Sequence, residues 1–222
     1  MKVVSLKAEH AAETTSIASE KRGSISANPD ENGVFKVEFS DGPSLILSTD
    51  YLDENVNLSS WEEGRELSPR EEETLCFAAG CYKAEKVALR LIARAEQSSL
   101  SLTAKLEKRG IEIAVAKTVI ALLLDRKLLD DARYAELWVR SCLTRKTPSP
   151  LWLLASLGKK GIDRDSSRSA IQKVLDEETE YTMLLKYIEK MDILDKNGAK
   201  GGLKAHLKYQ GFSIETITRF FD

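Results

Sequence analysis

Three stretches of this 222-residue chain repeat one another at a period near 50: SLTAKLEKRGI (101–111), WLLASLGKKGI (152–162) and GLKAHLKYQGF (202–212). The glycines Gly110, Gly161 and Gly211 set the register. A leucine stands four residues before each (Leu106, Leu157, Leu207), an alanine six before (Ala104, Ala155, Ala205) and another leucine eight before (Leu102, Leu153, Leu203). An apolar residue follows each glycine: Ile111, Ile162 and Phe212. Self-similarity of this kind belongs to architectures in which one unit cannot bury its apolar face alone and stacks on its neighbours.

The spacing has a geometric meaning. A glycine just past a helix end takes the left-handed conformation that costs other residues more. The leucine four before it then sits at C3 and the apolar residue after it at C″, the two positions that meet in a Schellman motif. Leucines at −4 and −8 share one helix face, aimed at the core. Apolar or small pairs follow nine and ten residues after each glycine (Val119-Ile120, Ala170-Ile171, Phe220-Phe221) and mark a further helix packing back on the first. A third helix precedes each pair, over roughly 83–96, 131–145 and 178–189. The expected fold is mainly α: three tandem three-helix repeats (68–127, 128–177, 178–222) forming an elongated, curved body.

The N-terminal third differs. Residues 1–32 read as a poorly ordered leader, because the stretch from Ala8 to Pro29 is rich in Ala, Ser, Thr and Glu with little apolar periodicity. Within 33–67, Val34, Phe35, Val37 and Phe39, then Asp41-Gly42-Pro43, then Leu45, Ile46 and Leu47 predict a small β-hairpin. Ser68 is placed to N-cap the long helical tract that follows, with Pro69 at its first position. Glu71, Glu72 and Glu73 complement its dipole, so the glutamate run reads as a helix start and not as a metal site.

Composition narrows the function classes. The two histidines, His10 and His206, have no partner at metal-ligand spacing and leave little material for acid–base catalysis. Cys76, Cys81 and Cys142 are sparse and odd in number, as expected of reduced thiols in a cytoplasmic protein; Cys76 and Cys81 read as buried. Residues 197–202 (NGAKGG) lack the spacing of a phosphate loop and read as an interhelix connection. No apolar run approaches a membrane span and no export signal is apparent, which places the expected protein in the cytoplasm, without cofactor or metal. The net charge of −2 hides an asymmetry: residues 1–75 carry 7 basic against 16 acidic side chains, whereas residues 76–222 carry 26 against 19. An acidic front joined to a basic body suggests either a charged partner or contact between the two parts.

The repeats and their connector also resemble a known family. ALRLIARAEQSSLSLTAKLEKRGI, LLDDARYAELWVRS (128–141), LLASLGKKGIDRDSSRSAIQKVL and LKAHLKYQGFSIETITRFF occur in the order of the RecX family of recombinase regulators. The hairpin and GRELSPREEE resemble an N-terminal extension that some members carry. The resemblance covers about 35–222. It implies a non-catalytic bacterial protein that binds the RecA recombinase filament on single-stranded DNA. It further implies modulation, usually inhibition, of strand exchange, ATP hydrolysis and repressor self-cleavage in the SOS response.

No catalytic motif accompanies the resemblance, so candidate sites are surface contacts. Asp130 or Asp131 reads as an N-cap, and Tyr134 and Trp138 read as core rather than as interface anchors. The basic residues are the partner-binding candidates: Arg90 and Arg94 at i, i+4; Arg133 and Arg140 on one helix face; Arg145 and Lys146 at that helix's end. Lys105, Lys108 and Arg109, Lys159 and Lys160, and Lys204 and Lys208 recur in the three middle helices. They fit either a positive stripe facing acidic protein or phosphate, or an ordinary solvated face. Direct binding of nucleic acid is the alternative function, and a monomer is expected because the units cover one another's faces.

Overall fold

The computed structural model describes residues 2–8, 33–40, 43–53, 56–191 and 200–222. Three strands come first: β1 (Val3–Ala8), β2 (Val34–Phe39) and β3 (Leu45–Ser48). Nine α-helices follow among the described residues. They are α1 (Pro69–Ile92), α2 (Ser99–Glu107), α3 (Ile113–Asp125), α4 (Asp131–Arg145), α5 (Pro150–Gly158), α6 (Arg164–Val174), α7 (Glu177–Met191), α8 (Lys200–Tyr209) and α9 (Ile214–Phe221). They form three triplets, α1–α3, α4–α6 and α7–α9.

The sheet is antiparallel, in the order β1-β2-β3. A two-stranded hairpin is the sequence expectation, so β1 is a correction to the leader assigned to 1–32. Val3 to Ala8 pair with Phe39 to Phe35 and cover the edge that a lone hairpin leaves open. Val3, at 1% exposure, is buried with Phe35, Val37 and Leu47. The rest of the leader, 9–32, and the turn residues Asp41 and Gly42 lie outside the described residues, as does His10.

α1 begins at Pro69 with a reciprocal capping box. The Ser68 N–H donates to Glu71 Oε2 at 2.8 Å, and the Glu71 N–H donates to Ser68 Oγ at 3.3 Å. These bonds and Arg65 hold the Glu71 carboxyl below its ordinary range. Cys76 is exposed rather than buried, because Leu75, Ala78, Ala79 and Cys81 define the buried face of α1 and residue 76 falls off it. Burial pushes the Cys81 thiol up to about 11. The helix stops at Ile92, short of the expected 96, so Arg94 lies in the turn beyond it.

All three middle helices close as the spacing predicts. Gly110, Gly161 and Gly211 have φ of 79°, 83° and 87°. The following N–H of Ile111, Ile162 and Phe212 donates to the carbonyl of Leu106, Leu157 and Leu207 at 3.2, 3.2 and 3.3 Å. The glycine N–H groups bond the carbonyls of Glu107, Gly158 and Lys208, completing three Schellman motifs. Leu102, Leu106, Leu153, Leu157 and Leu207 are fully buried, and Leu203 nearly so. The connection assigned to 197–202 is shorter than expected: α8 takes Lys200, Gly201 and Gly202 into its first turn, and 192–199 lie outside the described residues.

The chain divides into two compact units, 1–91 with 105–122 and 92–104 with 123–222. The first turn of α2 thus belongs with α4–α9, and local bonds account for this. Ser99 donates through N–H and Oγ to the two carboxylate oxygens of Asp131 at 2.8 and 2.6 Å. A Cβ built on Gly161 would lie 2.7 Å from the Leu100 Cβ, so the turn after α5 rests directly on α2. The turn after α8 rests on α5 at the same relative position. The Leu151 N–H donates to the Gln210 carbonyl at 2.9 Å, and Ser149 Oγ donates to Gln210 Oε1 at 2.8 Å. Within the second unit α6 packs on α4 and α5, and α9 on α7 and α8. No helix among the described residues is long and apolar enough to cross a membrane.

Candidate interaction surface

The connector between α3 and α4 separates the roles of its two aspartates. Asp130 caps α4, accepting from the Arg133 N–H at 2.9 Å, while Asp131 holds α2 through Ser99. Arg133 is a strut as well: Nε donates to Glu96 Oε1 at 2.7 Å, and the pairing raises the guanidinium pKa. Its charge is thereby largely matched.

At the other end of α4 two indoles meet. Trp138 and Trp152 stack with ring centroids 6.0 Å apart and planes inclined by 22°. The Lys146 ammonium lies 4.9 Å from the Trp152 centroid, and that of Lys160 5.2 Å from the Trp138 centroid. Such cation–π contacts contribute about 0.5–1 kcal/mol each at exposed sites. Trp152 remains 40% exposed, whereas Trp138 is half-buried against the core of the second unit. Burial raises the Cys142 thiol pKa against the opposing pull of Lys146, Lys160 and Arg145. Arg145 also donates to Ser141 Oγ at 2.6 Å. The resulting surface is aromatic, basic and half-exposed, suited to holding an anionic group by charge and contact together.

The remaining candidates are spread over both units. In the first, Arg90 donates to the Lys86 carbonyl at 3.1 Å, Arg109 donates to the Lys105 carbonyl at 2.8 Å, Lys105 is half-buried and Lys108 is exposed. In the second, Arg94, Arg140, Lys159, Lys204 and Lys208 are exposed. Of these candidates, Lys146 and Lys160 are drawn together around a distinct feature, the indole pair. Among the described residues no three His, Cys, Asp or Glu side chains gather as a metal ion requires. His206 is half-buried, its Nε2 lying 3.3 Å from the Tyr187 hydroxyl.

Sequence reasoning passes over Trp152. Its signal is angular: it precedes the buried Leu153 by one residue, about 100° around the helix, at the margin of the core face. Trp138 carries the same information only once α4 and α5 are packed.

Fold and surface together define the class: a tandem three-helix-repeat protein whose distinguishing surface feature is a lysine-capped tryptophan stack. The family described as "RecX, second three-helix domain" matches residues 130–171, the span from the α4 cap into α6. "Regulatory protein RecX" of Treponema pallidum is 38% identical over 117 residues, covering 53% of this chain and 71% of that protein. Its namesake from Pseudomonas tolaasii is 31% identical over 137 residues, covering 60% and 86%. A solved regulatory protein RecX superposes with a TM-score of 0.61 at 16% identity over 97% of this chain and 96% of that one, a likeness of fold. The chain belongs to the RecX family of regulatory proteins.

Proposed function

We propose that this protein is a non-enzymatic regulator that binds the RecA recombinase and its nucleoprotein filament on single-stranded DNA. It inhibits strand exchange, ATP hydrolysis and repressor self-cleavage, and so acts in DNA repair and the SOS response. The observation that carries the reading is membership of a family whose members are named as regulatory proteins. Physical logic supports it. A chain of three like units repeats its surface at intervals, which suits a partner that is itself an array of identical protomers. The lysines and arginines of the middle helices supply charge for an acidic protein surface. On this reading the protein works in the cytoplasm as a monomer, without a cofactor.

The test is co-sedimentation with recombinase filaments assembled on single-stranded DNA. The protein is expected to pellet with them and to saturate below one copy per recombinase protomer, because one chain reaches more than one protomer. Remaining in the supernatant while the filaments pellet contradicts the proposal. A second reading, direct binding of nucleic acid, draws on the exposed Trp152 beside Lys146, a pairing that can stack on a base and neutralise a phosphate. It predicts binding to a bare oligonucleotide that weakens steeply with salt.

A further inference from the structure

The tryptophan stack adjoins a groove, and Lys146 belongs to both. The groove lies between the end of α4 and the start of α7, has a volume of about 410 Å³, and is lined by Leu143, Met183, Thr147 and Lys186 as well as Lys146. Leu143 and Met183 give it an apolar floor. Thr147 Oγ1 is buried there with no hydrogen-bond partner among the described residues. Asp176 and Glu178 form the opposite wall. Asp176 caps α7 by accepting from the Thr179 N–H at 2.8 Å, and Glu178 pairs with Arg219 at 2.8 Å.

We propose that the Trp138–Trp152 stack and this groove together form the anchor for an acidic polypeptide segment of the partner, with Lys146 as the hinge between them. Carboxylates of the segment meet Lys146, Lys160 and Lys186, while an aliphatic side chain enters between Leu143 and Met183 and contacts the exposed edge of Trp152. Two features favour a polypeptide over a nucleic-acid strand. The groove floor formed by Leu143 and Met183 is aliphatic and takes an aliphatic side chain. The unpaired threonine hydroxyl matches the amide and carbonyl groups of a peptide backbone. An exposed tryptophan such as Trp152 is also among the residue types that dominate protein interfaces.

This inference rests on the proposed function, the acidic segment being the recombinase's. Its test measures dissociation constants of the full-length protein for filaments assembled on single-stranded DNA, alongside a bare oligonucleotide of the same sequence. Trp152→Ala is expected to weaken filament binding about 30-fold, the loss typical of an interface hot spot. The double substitution Lys146→Glu with Lys160→Glu, at solvent-accessible side chains that spare the core, is expected to do at least as much. Lys117→Glu, a reversal at an exposed position on α3, is expected to bind as wild type does. Thermal melting of each variant accompanies the binding, and the double variant decides the matter if Trp152→Ala melts early. Unchanged affinity of the Trp152 and double-lysine variants, with wild type binding normally, overturns the anchor and leaves the regulatory reading intact. Wild type binding the oligonucleotide but not the recombinase, through these same residues, overturns both.

Discussion

The second and third triplets use one scaffold to opposite ends. Each closes its middle helix on a left-handed glycine with a buried leucine five residues before the next apolar anchor. Each brings a ring from its first helix towards its middle helix. In the third triplet that ring is Tyr187, buried in the core, stacked 6.2 Å from the half-buried His206 and tilted 5.5 Å from Phe212. In the second it is Trp138, which turns outward to Trp152 beneath two lysines. The residue before the closing glycine differs accordingly. Lys160 reaches over an indole, whereas Gln210 is spent on bonds to Ser149 and Leu151 of the preceding triplet. The leucine and glycine positions maintain the fold, and the positions between them are free to diverge into a surface or a joint.

The largest expected effect separates those two aromatic pairs. Tyr187→Ala should destabilise the protein by about 3–5 kcal/mol, as loss of a buried aromatic does. Trp152→Ala should cost less than about 1 kcal/mol, as at a partly exposed site. Urea denaturation compares them, and similar losses would erase the distinction between core and surface pair. Next comes the closing turn. Gly161→Ala adds left-handed strain and a clash with Leu100, and should cost about 2–3 kcal/mol. Gly110→Ala meets nothing within 4 Å and should cost only the strain, about 1–2 kcal/mol. Equal losses in the two would show that the turn after α5 does not bear on α2.

Gln210→Lys gives the third triplet the residue of the second. It removes the bond from Ser149 Oγ and should cost about 1 kcal/mol, read from the same denaturation curves. The smallest effect concerns pH. Asp163 caps α6 and Asp176 caps α7, and hydrogen bonds hold both carboxyls below their ordinary 3.8. A carboxyl lowered in the folded state contributes stability that is complete above its unfolded value and lost as pH falls through the folded one. Stability should therefore fall on acidification below about pH 4, and Asp163→Asn with Asp176→Asn should flatten that part of the profile.

What was legible in the sequence was local. A Schellman turn and an N-cap each need only a few consecutive residues, so Gly161 and Ser68 could be placed by spacing alone and the cap of α4 narrowed to Asp130 or Asp131. What escaped depended on distant partners. Val3 to Ala8 look like the start of a leader until the edge of β2 is seen to need cover. Asp131 finds Ser99 32 residues away, against a capping preference that favours its own helix. Arg133 carries the same charge as Lys160 in a sequence, but Glu96 takes it up while the Lys160 charge is presented at the indole surface. The tryptophan stack forms only when two helices pack, and periodicity within either helix gives no sign of it.

The central claim is that this repeat scaffold serves to restrain a recombinase filament. It is tested most directly by ATP hydrolysis of the host RecA on single-stranded DNA, with this protein titrated in below one-to-one. The account predicts that hydrolysis falls well before equimolar addition, and that Trp152→Ala requires far more protein for the same fall. Hydrolysis that stays constant across the titration, with filaments forming normally, would contradict it.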